Sequence, residues 1–113
     1  MKVLILEDDP NRIGTFKKKL KEHDLYFAIS VKEAKDMTIN FGPFDYFFLD
    51  HDLDGQIFVD SNEENTGYRF AQFLAESKAT GEVIVHSMNP AGAQNIKGVL
   101  PQAQIVPFPY LFS

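Results

Sequence analysis

Three short, almost unbroken apolar runs do most to limit what this chain can become: Lys2 to Leu6, Asp45 to Leu49 and Glu82 to Val85, each ending in polar residues. Strands read this way when both of their faces are covered, as in a parallel sheet flanked by helices. Two weaker runs, Leu25 to Ile29 and Gln104 to Phe108, extend the series. The second contains Pro107, which has no N–H to give a central ladder, so that strand is expected at an edge. Helical patterns with clear starts lie between the runs. Asp9-Pro10 is a cap followed by proline at the first helical position, and Ile13, Phe16 and Leu20 make the buried stripe while Lys17, Lys18, Lys19 and Lys21 stay in water. Ser30 with Glu33 is a capping box ahead of Val31, Ala34 and Met37. Thr66-Gly67 leads into Phe70, Ala71, Phe73 and Leu74, and Asn89-Pro90 into Ala93, Ile96 and Leu100.

The order is βαβαβαβαβ. Right-handed crossovers and short connections make a doubly wound α/β fold the simplest packing, with a flavodoxin-like parallel five-stranded sheet in the order 2-1-3-4-5. Residues 1–113 then form a single domain, in keeping with the length. In such a sheet ligands bind outside the carboxyl ends of the strands, near the switch point between strands 1 and 3. After strand 5 the sequence reads Pro107-Phe108-Pro109-Tyr110-Leu111-Phe112, which is apolar and cannot begin a helix. A fifth helix is therefore not expected. The tail should pack over the uncovered sheet, or that face should be buried in a homodimer.

Composition excludes several classes. There is no cysteine, hence no disulfide and no thiolate metal site. The apolar run after Met1-Lys2 is too short for a signal peptide, and no stretch approaches the ~20 apolar residues of a membrane span, so a cytoplasmic location is expected. A net charge of −5 argues against long contact with a nucleic-acid duplex. It leaves room for a small phosphate ligand or an RNA end held by a few local groups.

Three strand ends are expected to converge: Glu7-Asp8-Asp9, Asp50-His51-Asp52 and His86-Ser87-Met88-Asn89. Gathered acids repel one another unless a cation offsets them, so Asp8, Asp9 and Asp50 are candidate ligands for a divalent cation such as Mg or Mn. Asp9 has an alternative role as a simple helix cap. Asp50 to Gly55, which includes Asp52 and Asp54, resembles half of an EF-hand loop, but position twelve would be Ser61 and the preceding segment is a strand. His51 and His86, if they share the pocket, suit phosphodiester chemistry, one removing a proton and the other supplying one. The alternative for His86 is a strand-end histidine bonded to backbone. Ser87 and Asn89 are candidate donors to phosphoryl oxygens, and Arg12 is a candidate phosphate anchor. The connection from Gly55 to Asn65 is long, and its Ile57-Phe58-Val59 trio suggests a flap or small hairpin over the pocket.

Asp8-Asp9, Asp50 and Ser87 in this order resemble the receiver domains of response regulators. That resemblance implies a magnesium ion held by the acids and a phosphoryl group accepted by Asp50. It breaks at the end of strand 5, where receivers carry a lysine; here no lysine follows Lys97. Leu6-Glu7-Asp8-Asp9 with Arg12, Leu49-Asp50-His51-Asp52-Leu53 and Val85-His86-Ser87-Met88-Asn89-Pro90 are similar to the receiver-derived group called cyclic-phosphate-processing receiver domains. The resemblance implies a phosphoesterase that processes a cyclic phosphate, such as an RNA 2′,3′-cyclic end or a cyclic nucleotide. Asp50, His51 and His86 would be catalytic, with Arg12, Ser87 and Asn89 holding the phosphate. The competing expectation is a non-catalytic receiver-like signalling or protein-interaction module, phosphorylated on Asp50. Sensing of a metal or nucleotide without turnover would use the same pocket.

Overall fold

The computed structural model describes residues 1–53 and 55–113; Asp54, in the carboxylate-rich loop, lies outside the described residues. Strands β1 (Lys2–Leu6), β2 (Asp24–Ala28), β3 (Tyr46–Leu49), β4 (Glu82–Val85) and β5 (Gln104–Ile105) alternate with helices α1 (Pro10–Lys19), α2 (Val31–Phe41), α3 (Gly67–Glu76) and α4 (Pro90–Val99). All pairings are parallel, and the sheet order is β2-β1-β3-β4-β5. The expected doubly wound sheet is therefore formed, with β1 and β3 adjacent at its centre.

Each helix starts where the sequence places its cap. The side chains of Asp9, Ser30, Thr66 and Asn89 accept backbone N–H groups from Asn11, Glu33, Arg69 and Gly92 respectively. Such caps satisfy N–H groups that a helix cannot pair internally. Strand alternation then sorts the core into two layers. Leu4, Leu6, Phe47, Leu49 and Val85 face α2, α3 and α4. Val3, Ile5 and Phe48 face the other way, onto Phe16 of α1.

The end of the chain completes that second layer. Phe108, Leu111 and Phe112 pack against the Val3, Ile5, Phe16 and Phe48 cluster, so the tail covers the face that α1 leaves open. Phe16 is the hub, meeting Phe48, Phe108 and Phe112 edge to face at centroid distances of 5.4, 5.8 and 5.7 Å. Each such pair contributes ~0.5–1.5 kcal/mol beyond the area it buries. β5 is shorter than its sequence run suggests. Its ladder stops at Ile105, and Phe108–Tyr110 forms a 3₁₀ turn. Pro107 explains the stop, because it ends the ladder and its fixed φ suits entry into a turn.

Candidate functional site

The residue that follows each central strand on the α1 side is polar. Register pairs Leu6 with Leu49 and Leu49 with Val85, so Glu7, Asp50 and His86 form the next row across β1, β3 and β4. Each has the parity of a residue facing α1: Ile5, Phe48 and Ile84. All three are buried. His86 Nε2 lies 2.9 Å from Glu7 Oε1; a carboxylate can only accept here, so the imidazole donates. The backbone N–H groups of Asp8 and Asp9 both donate to Glu7 Oε2 at 3.1 Å. Arg12 sits over the row, with one guanidinium nitrogen 3.7 Å from Glu7 and 3.8 Å from Asp50. Its side chain remains 27% exposed, and its guanidinium carbon lies 5.0 Å from the centroid of the Phe108 ring.

This environment drives the two carboxyls apart. Burial works against ionising Glu7, but the His86 bond, the backbone N–H of Asp9 and the Arg12 charge together hold it below the usual carboxylate range. Asp50 is pushed up to about 8, first by burial and then by the negative charge of Glu7, with the His51 N–H and Arg12 only partly offsetting them. Burial likewise pulls His86 below the ordinary imidazole value, against the opposing pull of Glu7. The surroundings of the row thus favour the ionised form of Glu7 and the protonated form of Asp50 near neutral pH. With Nε2–H given to Glu7, His86 Nδ1 has no partner among the described residues.

A cavity of about 400 Å³ opens onto this row, lined by Glu7, Asp8, Asp9, Arg12, Asp50 and Asp52 and by the loop residues Ile57 and Phe58. The loop is anchored on both sides of the pocket. Gly55 N–H donates to Asp8 Oδ2 at 2.8 Å, and the N–H groups of Phe58 and Val59 donate to the two oxygens of Asp52 at 2.6 and 3.1 Å. The loop thus flanks the pocket as a flap. In place of a hairpin, one antiparallel bridge between Asp52 and Thr66 closes its base.

His51 goes elsewhere. It shares parity with Leu49 and turns into the opposite layer, fully buried. Nδ1 bonds Asp52 at 2.8 Å and Nε2 bonds Ser61 Oγ at 2.8 Å, while Asn95 donates to the same hydroxyl at 2.9 Å. Both ring nitrogens are occupied. α4 presses on the ring so closely that a Cβ at Gly92 would lie 2.4 Å from His51 Cγ. α3 starts just as tightly, since a Cβ at Gly67 would lie 1.9 Å from the Asp50 carbonyl oxygen. These approaches explain why Asn89-Pro90-Ala91-Gly92 and Thr66-Gly67 carry glycine where they do.

Several sequence expectations are corrected by these placements. The two histidines do not share a pocket: successive residues of a strand point to opposite faces, and His51 and His86 differ in parity. Asp9 caps α1, its carboxylate accepting Asn11 N–H at 2.8 Å. Asp8 lines the pocket rim. The Ser87 hydroxyl accepts Asn89 N–H at 3.0 Å and lines a separate recess with Pro107 and Tyr110. Asn89 caps α4 and donates to Asp52 and to the Val59 carbonyl. Glu7 is the residue the sequence reading passed over, although its parity with Val3 and Ile5 marks it.

Glu7, Asp50 and His86 can hold a metal ion, since each offers a ligand atom and these atoms lie within 4.8 Å of one another. Two carboxylates and one imidazole suit a divalent cation. The mutual repulsion that raises Asp50 is the strain such an ion would relieve.

Solved structures of response-regulator proteins share this backbone. The receiver domain of the Francisella response regulator 1452 aligns with a TM-score of 0.73 at 22% identity, over 98% of this chain and 86% of that one. The Thermotoga maritima response regulator TrrA in complex with Mg²⁺-BeF aligns at 0.71 and 18%, over 95% and 87%. The Vibrio cholerae chemotaxis protein CheY4 gives 0.72 and 16%, over 96% and 87%. At such identities the likeness shows the fold. A comparison with curated proteins finds no match. The model of the cyclic-phosphate processing receiver domain matches residues 3–102. The chain belongs to that family. Its membership accounts for the receiver frame, and Lys97 underlines how this domain departs from ordinary receivers: Lys97 Nζ donates to the Ala103 carbonyl at 2.6 Å, at the far end of α4. Among the described residues of this cyclic-phosphate processing receiver domain, no helix is long and apolar enough to cross a membrane.

Proposed function

We propose that this domain hydrolyses a cyclic phosphate in the pocket over Glu7 and Asp50. The observation that carries the reading is the pair of buried carboxyls, Glu7 and Asp50, that line the pocket beneath one guanidinium nitrogen of Arg12 at 3.7 and 3.8 Å, in surroundings that favour ionised Glu7 and protonated Asp50. Two titratable groups pushed apart in this way divide the roles of base and acid. A water oxygen forms a bond to phosphorus while one ring P–O bond breaks. The proton of that water passes to ionised Glu7, and protonated Asp50 gives its proton to the departing ribose oxygen. Arg12 takes the non-bridging phosphoryl oxygens. His86 touches no substrate; it orients Glu7 through its Nε2–H, and exchange with solvent resets both carboxyls. In the alternative to these acid–base roles, Glu7, Asp50 with its carboxyl ionised, and His86 would hold a magnesium or manganese ion, which would supply charge neutralisation at the phosphoryl oxygens.

Turnover of a panel of nucleoside 2′,3′-cyclic phosphates, with magnesium, with manganese and with chelator, tests the reading. Product that disappears in Glu7→Gln supports it, and turnover unaffected by Glu7→Gln overturns it. If chelator abolishes the rate, the carboxyls serve the cation and the acid–base assignment fails.

A second reading, a non-catalytic module phosphorylated on Asp50, is favoured by one observation: Asp50 opens onto the pocket next to Arg12 in a receiver frame. Mass spectrometry after acetyl phosphate treatment separates the two. A stable mass shift absent from Asp50→Asn supports the module.

A further inference from the structure

The pocket has an apolar side that the chemistry above does not use. Ile57, Phe58 and Met88 line it beside the carboxylates, with 78%, 70% and 51% of their surface in water. Exposed apolar residues scattered singly need no explanation, but three gathered at the mouth of one cavity do. Phe58 is also held there at a cost. Its φ is +51°, a left-handed backbone that bulky residues avoid. Asp52 fixes that conformation by accepting the Phe58 and Val59 N–H groups. Asp52 is fixed in turn by His51 and by Asn89, whose amide donates to it at 3.1 Å. A buried network on the far face of the sheet therefore holds an aromatic ring in water beside a phosphate-handling row. Rings so displayed are used to stack bases.

We infer that Ile57, Phe58 and Met88 form a nucleobase platform, so that the cyclic phosphate handled here is that of a nucleoside whose base stacks on Phe58. The inference rests on the reading under Proposed function and names its substrate class. The chemistry fits in scale. In a nucleoside 2′,3′-cyclic phosphate the base and the phosphate ring share one ribose, and a cavity of about 400 Å³ falls within the usual range for small-ligand sites. Continuity of the apolar side with Arg12 and the carboxylates puts a base and a phosphate within reach of one small ligand. A free nucleotide and the 3′ end of an RNA present the same groups.

The test uses 2-aminopurine riboside 2′,3′-cyclic phosphate, free and at the end of a short oligoribonucleotide, beside glycerol 1,2-cyclic phosphate, which has no base. Phe58→Asn keeps a residue that tolerates the left-handed backbone but removes the ring; Phe58→Tyr keeps the ring. Quenching of 2-aminopurine fluorescence is expected with the parent protein and with Phe58→Tyr. The ratio of kcat/KM for the nucleoside over the base-free ester should fall by about tenfold or more in Phe58→Asn and return in Phe58→Tyr. A ratio unchanged in Phe58→Asn overturns the platform and leaves the proposed hydrolysis standing. Quenching lost in Phe58→Asn without turnover of any ester keeps the platform and overturns hydrolysis. Neither quenching nor turnover overturns both, and leaves a protein partner as the reason for the exposed ring. Tighter binding of the oligonucleotide assigns the RNA end; equal binding assigns the free nucleotide.

Discussion

Two buried histidines lie just past the ends of adjacent strands, and they are used in opposite ways. His51 faces the α2–α4 layer, has a partner on each ring nitrogen and is pinned by the backbone of α4. His86 faces the α1 layer, gives one nitrogen to Glu7 and leaves the other without a partner among the described residues. The first is a structural pin that holds the loop through Asp52 and Ser61. The second is coupled to the charge of a carboxylate that lines the pocket. Burial alone does not distinguish them; what differs is whether each nitrogen is satisfied and what lies on the other side of the bond.

The largest expected effect separates them kinetically. His86→Gln should lower turnover of a nucleoside 2′,3′-cyclic phosphate by ~10²–10⁴-fold, the usual range for a lost contribution to acid–base catalysis. His51→Gln should cost less than about tenfold in kcat and act mainly on stability. Steady-state kinetics alongside thermal melts reads both, and equal losses of kcat would break the contrast.

Asp50 gives the next effect. Burial and the charge of Glu7 push the Asp50 carboxyl up to about 8, well above the usual carboxylate range. The folded state therefore keeps a proton that the unfolded chain gives up, and the contribution of Asp50 to stability is lost as pH rises through about 8. Asp50→Asn should remove this decline and, in chelator at pH 8 to 9, be more stable than the parent by a few kcal/mol (on the order of the linkage). Denaturant titrations across that range check the sign. A parent protein whose stability rises with pH there would show that Asp50 is ionised.

Gly92→Ala sharpens the contrast from the other face. It forces a methyl group against the His51 ring and should cost ~1–3 kcal/mol by overpacking. Gly14→Ala, in open space on α1, should gain up to ~1 kcal/mol from helix propensity. The smallest effect is at Asp9. Asp9→Asn keeps the helix cap and should leave Mn²⁺ affinity within about threefold, whereas Glu7→Gln should abolish binding by calorimetry.

The fold was legible because its signals are local. Apolar runs, four caps and Pro107 each act within a few residues, and together they leave one simple topology. The site was legible only by position along the chain. Asp50 and Arg12 sit where the strand ends predict. The grouping of His51 with His86 ignored alternation, which assigns them to opposite faces once register is applied; the same alternation puts Glu7 with Val3 and Ile5 and separates it from Asp8. Sequence spacing also could not reveal that the Asn89 amide reaches Asp52 and the Val59 carbonyl, because that depends on tertiary distance. The flap was suggested by its apolar trio, but its anchoring by Asp52 depends on backbone geometry that composition does not encode.

Phe108, at the start of the final turn, lies 6.2 Å from the His86 ring by centroid and packs on Phe16 with Phe112. That turn is tied to the sheet by the Phe108 N–H, which donates to the His86 carbonyl at 3.0 Å, and internally by short-range bonds, Tyr110 to Pro107 and Leu111 to Phe108 among them. Phe108 is thus joined to His86 twice, ring to ring and backbone to backbone. A shift of this turn would move the imidazole that orients Glu7, so the last residues described bear on the charge of the first strand end.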